Sequence, residues 1–226
     1  MKHKLLIIVV SLLTLSACSP SNEEKAQEMA ANYLKGVLYH FDSYEPLQTK
    51  VDSSFVSLAS DKEAIDLTLD MMKLFQSAQE YADKIERAES SMEIWSPSEY
   101  SSAYSRGEYR RAKEERDDNQ QLLVKTTERI QNQFSKIKSR QAYLEAESSL
   151  KMGDFDGWKV YHKFKSLNGL GTVDLLGEYV LFCDTDFNEK HAYSKDDYEA
   201  IKKVMTTISE SSELPELAEK LQELIF

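Results

Sequence analysis

Apolar residues three and four positions apart predict a helix over about residues 22–41. Ser21 and Glu24 have the spacing of a capping box, in which each side chain bonds the other residue's backbone N–H and begins a helix. The stripe that should be buried consists of Ala26, Met29, Ala30, Tyr33, Leu34, Val37 and Phe41. This first helix should therefore have one buried face and one solvent-exposed face.

Residues 42–59 contain two opposing signals. Pro46 disfavours a long helix, because proline has no N–H to donate. Apolar residues nevertheless recur three or four positions apart, at Leu47, Val51, Phe55 and Leu58. The segment is therefore predicted to be a short helix or a packed connector.

A second helix is predicted from Ser60 to about Trp95. Ser60 and Glu63 again have capping-box spacing. The apolar rhythm that follows is regular: Ile65, Leu69, Met72, Phe75, Ala78, Ala82, Ile85 and Met92. These positions predict one continuous amphipathic helix.

A third helix is predicted from Pro97 to about Leu150, with Gly107 as its weakest point. Ser96-Pro97-Ser98-Glu99 supplies an N-cap serine, a proline in the first turn and a glutamate at the third position. Heptad core positions hold Leu123, Ile130, Phe134, Ile137 and Leu144. Because the connection is short, the second and third helices should form a long antiparallel hairpin, with the third helix about 75 Å long.

The pattern changes to strands at the turn-rich segment Gly153–Gly157. Apolar or aromatic residues (Trp158, Val160, His162 and Phe164) alternate with Lys159, Tyr161, Lys163 and Lys165, which is typical of a half-buried strand. Further strands are predicted at 172–176 and 178–183, divided at Gly177. A small antiparallel sheet of two or three strands follows, and then two helices, one after Ser194 and one from about Leu214.

These elements predict a mainly α fold. It combines a long antiparallel helical hairpin with a small antiparallel β-sheet and two C-terminal helices. The expected organisation is a signal peptide at 1–17, a tether at 18–22, a coiled-coil-like helical region at 23–152 and a small α+β region at 153–226. Whether the third helix is continuous past Gly107 is left open by the sequence.

Charge excludes one class of partner. The chain has 28 Lys and Arg against 39 Asp and Glu, a net charge of −11. Nucleic-acid binding requires phosphates to be neutralised by basic side chains, so DNA and RNA are disfavoured. The most basic segment, Arg106–Arg116, also contains three glutamates and is interpreted as a solvated helix face.

The first eighteen residues predict export and lipid attachment. Lys2 and Lys4 precede an apolar run, Leu5–Leu15, that is too short to span a bilayer. Leu15-Ser16-Ala17-Cys18 resembles the lipobox of bacterial lipoproteins. That resemblance implies cleavage before Cys18, acylation of Cys18, and a lipid anchor on a membrane of the envelope, preferentially the outer membrane, facing the periplasm or the cell surface. The alternative is an ordinary signal peptide with a chance cysteine.

Few residues suggest chemistry, and no catalytic, cofactor-binding or metal-binding residue is assigned. Cys183 and His162 could pair as nucleophile and base, but their apolar surroundings favour burial of both. Asp184, Asp186 and Asn188 begin like a calcium loop, which then lacks the glycine at its sixth position and the glutamate at its twelfth. These three residues are therefore predicted to form a turn.

Two further segments support a resemblance. Ser43–Phe55, and Trp158–Gly171 with Tyr179–Phe187, resemble uncharacterised small lipoproteins of Gram-negative bacteria. Three functions are then considered. The first is a non-enzymatic interaction or scaffold protein of the envelope, which binds a protein partner or itself through the helical hairpin. The second is a small-ligand-binding module with a pocket on the sheet. The third is an enzyme that uses Cys183 and His162.

Overall fold

The computed structural model describes residues 20–99, 102–211, 213–215 and 217. The predicted signal peptide and Cys18 therefore lie outside the described residues. The elements are α1 (Asn22–Lys35), β1 (Glu45–Phe55), α2 (Lys62–Ile94), α3 (Ala103–Ala146), β2 (Phe155–Leu167), β3 (Asp174–Cys183), β4 (Glu189–Ser194) and α4 (Lys195–Glu210). The fold is mixed α+β, so the sequence pattern underestimated the sheet.

The chain divides into two compact units. One contains the described residues up to Ser54 together with Gly157–Lys195, and the other contains Phe55–Asp156 and the described residues from Asp196 onward. The first unit thus contains α1, the sheet and Lys195, the first residue of α4, and the second contains α2, α3 and the rest of α4. This division differs from the predicted boundary at residue 152, because α1 and β1 associate with strands that follow α3 in the sequence.

The sheet has four strands in the order β1-β2-β3-β4, one or two more than predicted. β2 and β3 are antiparallel, with Val160 opposite Leu181 and Trp158 opposite Cys183. One sheet face packs on α1 in a core of Ala26, Met29, Ala30, Val160, Leu181, Cys183 and Phe187. The alternation in β2 therefore correctly identified the buried face.

β3 is continuous, and its predicted division at Gly177 is wrong. A Cβ at Gly177 would lie 2.3 Å from Cζ of Phe164, the residue directly opposite in β2. The glycine therefore provides room for an aromatic ring and does not end a strand.

The prediction for residues 42–59 was also wrong, because Glu45–Phe55 is a strand. A 3-10 helix covers only Phe41–Ser43. Within the strand, Gln48, Lys50 and Asp52 alternate with Thr49 and Val51, which is a period of two. The coincidental helical spacing of a few apolar residues concealed this alternation.

α1 confirms the first capping box. The Ser21 hydroxyl accepts from the Glu24 N–H, and the Glu24 carboxylate accepts from the Ser21 N–H at 2.7 Å. The helix ends at Lys35, earlier than predicted, with Gly36 as its C-cap. Val37 and Phe41 therefore lie outside the helix.

The starts of α2 and α3 differ from the predicted ones. Asp61, not Ser60, caps α2 by accepting from the Ala64 N–H at 2.9 Å. Ser102 caps α3, so the Ser96-Pro97 segment precedes the helix instead of beginning it. α3 continues through Gly107 for 44 residues, which corresponds to about 66 Å.

α2 and α3 contact each other at both ends: the start of α2 meets the end of α3, and the end of α2 meets the start of α3. Near the start of α2 and the end of α3, Arg140 forms ion pairs with Asp61 at 2.7 Å and Glu63 at 2.8 Å. At the other ends, the rings of Trp95 and Tyr104 pack edge to face at 5.6 Å. The buried residues of α3 are Ala112, Asn119, Thr126, Ile130, Phe134, Ile137 and Leu144. Four of the five predicted heptad residues are in this set, and Leu123 is half-buried.

α4 buries the four residues that its spacing predicted: Ile201, Val204, Met205 and Ile208. The Lys138 side chain of α3 donates to the Ser209 carbonyl at 3.1 Å, which joins α4 to α3. Leu214, Pro215 and Leu217 are helical, as expected for the last helix, whose remaining residues lie outside the described part of the chain.

Candidate functional site

A cleft of about 460 Å³ lies on the sheet of the first unit. β1, β2 and β3 and the first residue of α4 contribute its lining, which includes charged side chains from each of them. The residues of this sheet cleft are Gln48, Lys50, Asp52, Tyr161, His162, Lys163, Glu178, Tyr179 and Lys195. The sequence suggested a pocket on the strands around Trp158 to Phe187 as one alternative, and it gave no indication that charged residues of β1 and α4 would lie at the same cleft.

Glu178 is the electrostatic centre of the sheet cleft. Its carboxylate accepts from Lys195 at 2.5 Å and from Lys163, directly opposite in β2, at 2.9 Å. The hydrogen bond from Lys195, and then that from Lys163, lowers the pKa of Glu178 to about 2. Glu178 therefore stays charged and holds two ammonium groups at the cleft.

Lys50 and Asp52 give the sheet cleft one further charge of each sign. They are exposed, two positions apart on β1, and therefore point to the same side of the strand. Among the described residues, neither has an ion-pair partner. A small molecule that has both an ammonium and an anionic group would match this pair.

His162 is buried beneath the cleft, as its alternation with apolar residues predicted. Its exposed fraction is 1%. Nε2 lies 2.7 Å from the Tyr44 hydroxyl, and Nδ1 lies 3.0 Å from the Thr49 hydroxyl. Burial lowers the pKa of His162 to about 4 and raises that of Tyr44 to about 12, so both groups are neutral at pH 7.

These contacts predict a pH dependence of stability. The unfolded chain takes up a proton at His162 near pH 6.5, whereas the folded chain does so only near pH 4. The stabilisation is therefore complete above pH 6.5 and is lost as the pH falls. We expect the free energy of unfolding to drop by about 2 kcal/mol between pH 7 and pH 5 from this group alone. Urea denaturation of the wild type and of His162→Gln at both pH values measures this drop. If the free energy of unfolding fell equally in both proteins, the pH dependence would not come from His162.

Cys183 is also buried, which confirms the expectation for its apolar segment. It is 1% exposed, and its Sγ donates to the Trp158 carbonyl at 3.6 Å. Burial is the main cause that raises its pKa to about 11, which keeps it a thiol at neutral pH. Because the ring nitrogens of His162 bond Tyr44 and Thr49 instead, the nucleophile–base pair considered from the sequence is not formed.

The segment after β3 is a turn, as predicted. One oxygen of Asp184 accepts from the backbone N–H groups of Asp186 and Asn188, both at 2.9 Å, and the other accepts from the Asn188 side chain at 2.8 Å. These bonds, that from the Asn188 side chain first, lower the pKa of Asp184. Both carboxylate oxygens thus serve the turn itself.

The second unit has an apolar feature that periodicity did not reveal, here called the helix-pair tip. It consists of Ile94 and Trp95, at the end of α2, and Tyr104, at the start of α3. Ile94 is 74% exposed and Tyr104 is 66% exposed. An isoleucine and a tyrosine this exposed at one place form a candidate contact surface.

Among the described residues, no group of three or more His, Cys, Asp or Glu is arranged to hold a metal ion. In the same part of the chain, no helix combines the length and the hydropathy needed to cross a bilayer. Comparison with known proteins gives no assignment either. No family model matches the chain, and neither a curated protein nor a solved structure is significantly similar to it.

Proposed function

We propose that this chain is a lipid-anchored envelope protein that acts by binding a protein partner or a second copy of itself. The lipobox-like segment ending at Cys18 supports the anchor. The main support for binding is the helix-pair tip, where Ile94 and Tyr104 expose most of their surface at one end of α2 and α3. Among the described residues, no cluster of reactive side chains suggests catalysis instead.

The anchor is tested by Cys18→Ala. Membrane retention should be lost, because the thioether-forming residue is removed. Cell fractionation and incorporation of labelled palmitate measure the effect, with Ser19→Ala as the matched control that retains the cysteine. A Cys18→Ala protein that remains in the membrane and still incorporates palmitate would contradict the lipobox assignment.

The binding surface is tested by changing the helix-pair tip without changing the buried seam. Ile94→Asp combined with Tyr104→Ser should abolish the cross-links between this chain and its partner in intact envelopes, because the apolar contact surface is removed. Both side chains are exposed, so the substitutions should cost little stability. Val124→Asp is the matched control, since Val124 is 50% exposed in the middle of α3. Unchanged cross-links in the tip variant, or equal loss in the control, would contradict a role of the tip.

The sheet cleft supports a second candidate, a small-ligand-binding module. The observation that favours it is that Lys50 and Asp52, which have no ion-pair partners among the described residues, line the same cleft as the Glu178 ion pairs. The cleft is large enough for a molecule of amino-acid or dipeptide size. Isothermal titration with free amino acids and dipeptides tests it. Binding should be lost in Lys50→Gln and Asp52→Asn and retained in Ser53→Ala. No heat of binding with any of these ligands would contradict this candidate.

A further inference from the structure

The β2–β3 hairpin ends in an apolar surface, here called the apolar hairpin end. It consists of Leu170, Val173, Leu175 and Leu176 of the hairpin and the neighbouring Tyr39. Leu170 is 84% exposed and Tyr39 is 90% exposed. The other three are between 52% and 67% exposed. Single exposed apolar residues are common, but five large ones together indicate a surface that contacts something apolar.

Hydrogen bonds and packing give the apolar hairpin end a defined shape. The Asn168 side chain accepts from the backbone N–H of Thr172 at 2.9 Å, which closes the turn. His40 Nε2 lies 3.3 Å from the Gly169 carbonyl, and a Cβ at Gly169 would lie 3.5 Å from the Tyr39 ring. The loop after α1 is thus packed on the turn, which brings Tyr39 beside Leu170.

Each face of the hairpin carries an exposed leucine at this end, and the face of Leu176 also carries the paired charges of Asp174 and Lys165. Leu175 and Leu176 are consecutive in β3 and therefore point to opposite faces. Within the described part of the chain, β4 pairs with β3 only from Tyr179 to Cys183, so β3 has no neighbouring strand on that side at the two leucines. A flat protein surface would cover one face, whereas immersion in a fluid apolar phase would cover both.

The neighbouring charges are compatible with such a phase. Asp174, between Val173 and Leu175, forms an ion pair with Lys165 at 2.9 Å. The charge of this carboxylate is therefore balanced within the hairpin.

We propose that the apolar hairpin end inserts into the surface of the lipid bilayer to which Cys18 anchors the chain. This inference rests on the proposed anchor. Cys18 precedes the first residue of α1 by four positions, a span of at most about 14 Å, and α1 rises about 21 Å from there to the loop that contains Tyr39. Both contacts therefore lie within reach of one membrane surface.

The two attachments have different roles. The acyl chains retain the protein, so the hairpin contact need not be strong by itself. Once the chain is tethered, the second contact is intramolecular and a weak apolar interaction is sufficient to form it. Because they lie near opposite ends of α1, the two contacts together fix the orientation of the first unit on the membrane.

Fluorescence quenching tests the insertion. An environment-sensitive dye is attached to a cysteine introduced by Leu170→Cys and, as a control, to one introduced by Ser53→Cys. Ser53 is exposed and lies near the last residue of β1, about 26 Å along the strand from its first residue, Glu45. The protein is reconstituted in vesicles of phosphatidylethanolamine and phosphatidylglycerol that contain a nitroxide-labelled lipid. We expect quenching at position 170 to be several-fold stronger than at position 53. Cys183 is buried, so the unsubstituted protein should take up little dye.

A second preparation separates this proposal from that of the lipid anchor. The chain from Ser19 onward, which includes all described residues, is tethered by an N-terminal hexahistidine tag to nickel-chelating lipid in the same vesicles. Strong quenching at position 170 here supports insertion even if Cys18 is not acylated in cells. Tyr39→Ser combined with Leu176→Ser should reduce that quenching to the level of the control.

Three results would overturn the proposal. One is equal quenching at positions 170 and 53 in the tethered chain. Another is quenching that Tyr39→Ser and Leu176→Ser do not change. The third is a dye at position 170 that is shielded in intact envelopes but remains in water on vesicles, which would assign the apolar hairpin end to a protein partner.

Discussion

Ile130→Asp is expected to destabilise the second unit by about 3–5 kcal/mol, because it places a carboxylate in the seam of α3 without a partner. Ile130 is 3% exposed, and Phe134 and Ile137, which follow it on the same helix face, are also buried. Circular dichroism melts and urea denaturation of the chain from Ser19 onward measure the loss.

The neighbouring position provides the control. Gln131 is exposed on the same turn of α3, so Gln131→Asp introduces the same charge without burying it. Its effect should be within about 0.5 kcal/mol of zero. Similar melting temperatures for the two variants would show that the register of the α2–α3 seam is not as described.

Gly157→Ala is expected to destabilise the first unit by about 3 kcal/mol or more, from two causes that act together. Gly157 has φ of +124°, a conformation that favours glycine. A Cβ there would lie 2.2 Å from the Cys183 carbonyl oxygen and 2.9 Å from Cα of Asp184. Both are backbone atoms at the end of β3, so the strand itself would have to move.

Gly153→Ala separates the two causes. Gly153 also has a positive φ, +91°, but a Cβ there would have no atom within 4 Å. Only conformational strain should then lower the free energy of unfolding, by about 1–2 kcal/mol. Denaturation of both variants measures the difference, and equal losses would mean that the contact with β3 contributes nothing.

The helical parts of the fold were predictable because their signals are local. The capping box at Ser21 and the buried stripes of α1, α3 and α4 depend on residues within one or two turns of each other. Burial of His162 and Cys183 followed in the same way from the alternation of short segments. Neither inference required knowledge of what covers these residues.

Helix starts were less predictable, because several nearby residues could act as caps. Ser60 and Asp61 are adjacent and both are chemically suitable, and near the start of α3 both Ser96 and Ser102 are suitable. The structure uses Asp61, whose carboxylate also binds Arg140 of α3. Because Arg140 is far away in the sequence, an interaction between the helices decided between two locally equivalent caps.

Strand β1 and the sheet cleft were decided by tertiary structure alone. β1 pairs with β2 although α2 and α3 separate them in the sequence, and no local pattern encodes that pairing. The same pairing brings Lys50 and Asp52 to the cleft that contains Glu178 and Lys195. The sequence by itself determined which faces of α1, α3, α4 and β2 are buried, since periodicity encodes burial. On α2 only Ile65 of the predicted stripe is buried and the others are half-buried, because the buried face lies about one position away, at Ala64, Thr68, Met71 and Leu74. Which charged and apolar residues share one surface depended on strand order, which arises only when distant segments meet.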